Sequence, residues 1–305
     1  MLHPPVSVAV ADPAHELPSA PGRWAYEPKL DGYRVIGFAA RGLLQSRQGN
    51  TSMTTRFPEV TAEIARCGDV VLDGELVALH GMRLAFSALQ SGPAKRRRDG
   101  VTAVFMAFDL LAAGDRDLRT QSYLDRRAAL ATLLAGHQAH LQLTEYTLDA
   151  DAAREWLRPG WGEAGVEGVV AKPRASRYAR RCGWLKVRRR HTTEAVVLGV
   201  AESNALILGT PNHAGQWRVT GVSLPVPEQL RAELAARLRA DPDQLDPVQL
   251  PGIVGGLPGD SEIIYQPVQA VLVVEIEVDT AVEFGRHRHR PRVLRIRDDL
   301  TAGDL

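Results

Sequence analysis

The chain has 305 residues, 45% of them hydrophobic and 24% charged, with a formal net charge of +1 at pH 7. This is enough chain to bury one large or two ordinary cores, and the composition excludes collagen-like, low-complexity and disordered classes. No run approaches the roughly 20 consecutive apolar residues of a membrane helix, and Met1-Leu2-His3-Pro4-Pro5 lacks the basic flank and apolar core of a signal peptide.

Period-two alternation and β-branched content predict strands over 34–39, 43–47, 70–79 and 101–110. A helix is expected over 55–66 with Glu59, Glu63 and Arg66 on its wet side, and another over 122–134, where Ser122 can cap the first turn ahead of Asp125. A third, over 149–157, stops before Pro159 and Gly160. Strands over 166–172 and 184–188 complete this half. Because strands and helices do not alternate regularly, an antiparallel-rich α+β domain is expected rather than a doubly wound parallel sheet.

Beyond Arg190 the texture changes. Strands are predicted over 194–201, 205–209 and 216–222, then a helix over 227–239 with Leu230, Leu234 and Leu238 at helical spacing. A Pro/Gly/Asp-rich connection spans 241–260, followed by strands over 269–278 and 292–297. Several short strands, one helix and a basic last strand suit a small, partly open barrel of the OB type. The expected organisation is therefore 1–190 and 191–305.

The small net charge conceals an asymmetry. From Lys172 to Arg190 there are nine basic residues and no acid; from Arg286 to Arg297 there are six arginines and two histidines, again with no acid. Both runs are interleaved with apolar strand residues (Trp184, Leu185, Val187; Val293, Leu294, Ile296), which favours ordered strands that present cations to phosphates. Lys95-Arg96-Arg97-Arg98 is a shorter third run. Cys67 and Cys182 lie far apart without metal-ligand spacing and read as free thiols of a reducing cytoplasm.

The most informative stretch is Glu27-Pro28-Lys29-Leu30-Asp31-Gly32-Tyr33-Arg34. A protonated lysine is a poor nucleophile, and neighbours that lower its pKa are what would make it useful. Alone, the pattern is only moderately specific, since Asp-Gly is a common turn. Its weight comes from five segments downstream, in chain order: Ser46-Arg47, Asp73-Gly74-Glu75, Phe105-Met106-Ala107-Phe108-Asp109-Leu110-Leu111, Glu167-Gly168-Val169-Val170-Ala171-Lys172 and Trp184-Leu185-Lys186-Val187-Arg188. Together these segments resemble the nucleotidyltransferase motifs of the ATP-dependent DNA ligases, most closely the short bacterial two-domain type related to end-joining repair. The likeness runs from about Trp24 to Leu305.

That resemblance implies an adenylation (nucleotidyltransferase) domain followed by an OB-fold barrel, and a reaction in which ATP, with Mg²⁺ or Mn²⁺, charges a lysine with AMP before nicked duplex DNA is sealed. It implies Lys29 as nucleophile, with Lys172 and Lys186 as cations that lower its pKa and steady the phosphoryl transition state. It implies Glu27 at the adenine amino group, Arg34, Arg47, Glu75 and Arg188 at the nucleotide, Phe108 stacked on adenine, and Glu75 and Glu167 at the metal. From local sequence alone Glu75 is a hairpin acid and Phe108 a core strand residue. Gly32 is expected to let backbone approach the nucleotide closely. Arg295 and Arg297 are expected to contact pyrophosphate or DNA, although the family's usual closing Arg-x-Asp-Lys here reads Arg297-Asp298-Asp299-Leu300. The expected setting is a cytoplasmic monomer without a membrane partner, served by an end-binding protein or polymerase. An RNA ligase or RNA-capping guanylyltransferase uses the same lysine chemistry and is the nearest alternative. A catalytically dead nucleic-acid-binding module would not be expected to keep all of Lys29, Glu75, Glu167, Lys172 and Lys186.

Overall fold

A computed structural model describes residues 2–305 other than 82, 137–138, 213, 251–262, 280–281, 284 and 288. The chain divides into two compact units, Met1–Arg189 and Arg190–Leu305. The first contains the main strands β1 (Trp24–Leu30), β2 (Tyr33–Phe38), β3 (Leu43–Ser46), β4 (Val70–His80), β5 (Val101–Ala113), β6 (Val166–Pro173) and β7 (Leu185–Arg188). Its helices are α1 (Met53–Arg56), α2 (Pro58–Ile64), α3 (Pro93–Arg98), α4 (Tyr123–Leu133), α5 (Ala150–Glu155) and α6 (Pro159–Glu163).

These strands form two sheets. The smaller runs Asp12–Pro13, β7, β6, β1, and the larger has the path β3, β2, β4, β5 with short strands added at its margins. Neighbouring main strands are antiparallel. Alternation within each strand decides what the sheets bury. On the larger sheet Val35, Leu72, Leu76, Phe105 and Ala107 face one core with α1, α2 and α4, while Ile36, Phe38, Val71 and Phe108 face the other way with Tyr178 and Trp184. On the smaller sheet Trp24, Tyr26, Val169, Ala171 and Val187 pack against Ala153 and Trp156 behind it. The opposite phase, Glu27, Lys29, Val170, Lys172, Lys186 and Arg188, therefore fronts the space between the sheets.

The predicted strands form, with ends shifted by a few residues, but β1 was not anticipated: 24–30 carries Pro28 and two charged side chains on one face. Pro28 is tolerated because β1 is the outer strand of its sheet and needs no ladder donor on its free edge. The helix expected over 55–66 is broken at Phe57-Pro58 into α1 and α2 and ends in a 3₁₀ turn at Ala65–Cys67. Its Glu63 is not wet: the side chain is buried and accepts the His140 N–H at 2.6 Å, so the acid satisfies backbone 77 residues away. Ser122 caps α4 as expected, its hydroxyl accepting the Asp125 N–H at 3.2 Å. Gly32 is required by the packing of the strands themselves. A Cβ there would collide with the Leu76 carbonyl and lie 2.9 Å from Glu75 Cγ, so the close approach is to β4.

In the second unit β8 (Arg190–Ala201) is the spine. It pairs along one edge with β9 (Leu206–Pro211), which pairs β10 (Trp217–Val222). Along its other edge it pairs first with β12 (Val273–Asp279), then with β11 (Ile263–Pro267), and β12 continues to β13 (Arg292–Ile296). One strand that serves two successive partners curls the sheet into an antiparallel half-barrel of the OB type. Ala195, Val197, Leu208, Val274, Ile276 and Val293 fill it, with Leu234 of α7 (Glu228–Arg237) plugging one side. The expected 269–278 strand is shorter than predicted and β11 was missed; residues 251–260 of the expected connection lie outside the described residues, and Val248–Leu250 within it is a short strand.

Candidate active site

The first unit brings nine of the expected residues into the space between its two sheets. Lys29, near the end of β1, lies opposite Gly168 in the ladder with β6, where the register shifts between Val166 and Gly168. Its ammonium is ion-paired to the Glu167 carboxylate. Gly168 has no room for a side chain, because a Cβ would collide with the Val187 carbonyl of β7, so the three strands stay tightly apposed at the lysine. Two ladder positions away, Glu27 lies opposite Val170.

Lys172 reaches Glu27, not Lys29. Its Nζ is 2.5 Å from Glu27 Oε2, with both side chains almost wholly buried. The ammonium is 4.2 Å from the ring centroid of Phe108, 4.1 Å from Trp184 and 4.9 Å from Tyr123. The Tyr123 hydroxyl donates to Glu27 Oε1, so both oxygens of this carboxylate are engaged. Burial is the main influence that lowers the Lys172 pKa, against which Glu27 and Asp109 act.

Arg34 extends from β2 across Phe108. Its Nε and Nη2 donate to the two oxygens of Asp73 at 2.6 and 2.7 Å, and its guanidinium carbon is 4.4 Å from the Phe108 centroid. Tyr178 donates to the same Asp73 and accepts the Ala9 N–H at 3.2 Å. Glu75, two residues along β4 from Asp73, is pushed up to about 7, chiefly by burial; Arg34 and Lys29 pull it down, while Asp73 and Glu167 raise it. Thus Glu75, Glu167 and Lys29 form one electrostatic group.

Lys186 and Arg188 both face the inter-sheet space from β7, with Val187 buried behind. The Lys186 pKa is lowered first by partial burial and then by the cations Arg188, Lys29 and Arg47. Arg47, exposed in the turn after β3, therefore sits at the margin of the same positive field. Arg295 and Arg297 belong to the second unit. There Arg295 bonds Glu275 at 2.6 Å, and Arg297 holds Glu194 at 2.6 Å and Asp299 at 2.8 and 2.7 Å.

Sequence reasoning missed Tyr123, Tyr178 and the structural use of some cations. Arg189 was part of a basic run, but it is buried and its Nη1 and Nη2 donate to the Arg158 and Val166 carbonyls at 3.1 and 2.9 Å, bracing the strand that carries Glu167. Asp109 and Arg126 form a fully buried pair, Nε–Oδ1 2.7 Å and Nη2–Oδ2 2.9 Å, that ties α4 to β5 beside Phe108.

The donor set suits a nucleoside triphosphate with a hard cation. Lysines and arginines front the space beside two carboxylates, and Mg²⁺ commonly takes one or two carboxylates, completing its octahedron with phosphate oxygens and water. No group of three or more protein ligands occurs among the described residues, so an all-protein metal cage is not what this site offers.

Comparison with known proteins agrees with this chemistry. Residues 5–188 match the family described as the ATP dependent DNA ligase domain. DNA ligase C2 of Mycolicibacterium smegmatis is 34% identical over 98% of this chain and 92% of its own. The multifunctional non-homologous end joining DNA repair protein LigD of Mycobacterium tuberculosis is 32% identical, over 87% of this chain and 35% of its own. The solved structure of a mycobacterial DNA ligase D complexed with ATP and MES superposes with a TM-score of 0.52 at 29% identity, covering 98% of this chain and 97% of that one.

Proposed function

Since the chain belongs to the ATP-dependent DNA ligase family, we propose that Lys29 is the residue its reaction passes through and that the space between the two sheets of the first unit is the adenylation site. The enzyme seals nicks in DNA in three displacements. The neutral Lys29 amine attacks the α-phosphorus of ATP, forming an N–P bond as the bond to pyrophosphate breaks. The AMP then passes to a DNA 5′-phosphate, which displaces the lysine. Finally the 3′-hydroxyl attacks that activated phosphate, forming the phosphodiester and expelling AMP.

The observation that carries the assignment is the Lys29–Glu167 pair with Glu75, Lys186 and Arg188 around it. Lys186 and Arg188 place positive charge where phosphate oxygens gain negative charge, the preorganised arrangement that lowers such barriers. Glu75 and Glu167 are the residues that would hold Mg²⁺ or Mn²⁺, which supplies charge neutralisation at the phosphates. Glu27 serves the base edge, Phe108 and Val170 flank the base, Arg34 serves the sugar and phosphate, and Arg47 contacts nucleotide or DNA. Lys172 contributes at the base end through its pair with Glu27. Arg295 and Arg297 contact pyrophosphate or the DNA backbone.

The DNA partner is a nicked duplex. Of the basic run 172–190, Lys172 and Arg189 are buried and Arg190 is ion-paired to Glu277, which leaves Arg177, Arg180 and Arg181 exposed for phosphates. The protein works as a cytoplasmic monomer, nucleoid-associated on DNA, in repair with an end-binding protein or polymerase; no described helix is long and apolar enough to cross a membrane. Sealing assays with ATP on nicked DNA and nicked RNA duplexes test the reading. Lys29-dependent joining of the DNA supports it, and joining confined to RNA would replace it with an RNA ligase.

A further inference from the structure

Two side chains converge on Glu27, and one of them is hard to explain as charge compensation. Lys172 neutralises the buried carboxylate, and the Phe108 and Trp184 faces solvate Lys172 in turn. Tyr123 adds no charge. Its ring is wholly buried, and its hydroxyl reaches a carboxylate 96 residues away in sequence.

The helix that carries Tyr123 is fixed from several directions. Ser122 caps α4, and the Leu124 N–H bonds the Arg174 carbonyl at 3.2 Å. Arg126 locks the next turn to Asp109 on both oxygens and to the Gln121 carbonyl at 2.7 Å, while Arg127 donates to the Thr144 carbonyl. The phenol is thus delivered by a rigid element, as a group that sets another group's direction must be. Burial and then the neighbouring Glu27 raise the Tyr123 pKa well above its ordinary value, so the group stays an O–H donor at working pH.

We propose that Tyr123 is a positioning residue for nucleobase selection: with Lys172 it clamps the Glu27 carboxylate so that its remaining lone pairs meet an exocyclic amino group and repel a carbonyl. The inference rests on the placement of Glu27 at the base edge proposed above. Each carboxylate oxygen has two acceptor sites; Tyr123 occupies one on Oε1 and the Lys172 ammonium is ion-paired to Oε2, and the two contacts together hold the remaining sites in a fixed direction. Adenine presents an amino donor at the position where guanine presents a carbonyl acceptor. A carboxylate that could rotate would lose that contrast; a clamped one keeps it. Val170, opposite Glu27 and packed with the Phe108 cluster, borders the same edge.

The test is Tyr123→Phe in the full chain, stripped of bound AMP with pyrophosphate. Lysyl-nucleotide formation is followed against ATP and GTP concentration. The ring and its contact with Lys172 remain, and only the hydroxyl is lost. The expected result is a KM for ATP raised about tenfold with kcat within about twofold, and an ATP-over-GTP preference in kcat/KM reduced about tenfold, the scale of one hydrogen bond to a charged group. An ATP-over-GTP ratio equal to that of wild type overturns the proposal, as does an equal fall in kcat for both nucleotides. If the variant melts early, 3-fluorotyrosine at 123 decides, because it alters the donor without changing the packing: a moved ratio supports the clamp and an unmoved one overturns it. Wild type that forms no adduct with either nucleotide after stripping overturns the ligase reading itself, and this inference with it.

Discussion

Arg34 and Asp73 meet through two parallel hydrogen bonds of 2.6 and 2.7 Å, and the same guanidinium lies 4.4 Å from the centre of the Phe108 ring. A fork that is bidentate on one side and stacked on the other has little freedom left. The site is therefore largely organised before any nucleotide arrives. Removing one partner of a buried pair leaves the other charge uncompensated, which costs about 3–5 kcal/mol.

Asp73→Ala should accordingly lower unfolding stability in urea by about 3–5 kcal/mol and raise the KM for ATP. Tyr178→Phe, which loses one hydrogen bond to the same carboxylate, should cost about 1–2 kcal/mol. The double variant should cost less than the sum, because both changes remove contacts to Asp73. Additive losses would contradict a shared network.

Glu75 makes stability pH-dependent in a defined direction. Its folded-state pKa of about 7 lies above its ordinary value of 4.5. The folded state therefore binds this proton more tightly than the unfolded chain, so the contribution is full below about pH 4.5 and fades as pH rises through 7. Without nucleotide or divalent cation, wild type should lose on the order of 3 kcal/mol from this group across that window. Glu75→Gln should remove this component of the pH dependence. Parallel stability curves for the two proteins would contradict the assignment.

The last arginines predict an unequal pair of reaction steps. Arg297 is held by Glu194 and Asp299, and Leu300 stands where the resemblance in the motifs leads one to expect a lysine. Lysyl-AMP formation from free ATP should be slow beside sealing by pre-adenylated enzyme. Leu300→Lys, or Asp299→Asn, should speed the first step about two- to fivefold, in keeping with the worth of an exposed ion pair. Equal vigour in both steps of the wild type would remove the basis for this.

Exposed arginines should set the salt dependence of DNA binding. Replacing Arg177, Arg180 and Arg181 with alanine should reduce the slope of log K against log salt by up to about 0.9 per lost phosphate contact. Fluorescence anisotropy on a nicked duplex measures this. A slope equal to that of wild type would show that these side chains do not face the backbone.

Much of this was legible in the chain. Strands such as 70–80 show as β-branched and aliphatic runs, here buried on both faces, and the ordered motifs named Lys29, Glu75, Glu167 and Lys186, which the fold brings together. The strand that carries Lys29 was not legible, because Glu27 and Lys29 occupy the phase that faces the site, and Pro28 sits between them, tolerated only at an outer edge. Glu63 was misread since its partner, the His140 N–H, is distant in sequence. Tyr123 and Tyr178 stayed invisible for the same reason: their carboxylate partners lie 96 and 105 residues away. Local pattern reports burial and chemistry, but it does not report which distant group completes a hydrogen bond.

The most direct measurement of the central claim is a pulse and chase. Protein stripped with pyrophosphate is labelled with ATP carrying a marked α-phosphate, the modified residue is mapped, and nicked duplex DNA is then added. The label should sit on Lys29, be absent from Lys29→Ala, and move to the DNA 5′-phosphate before the nick closes. A label on another residue, or one on Lys29 that never passes to DNA, would contradict the account.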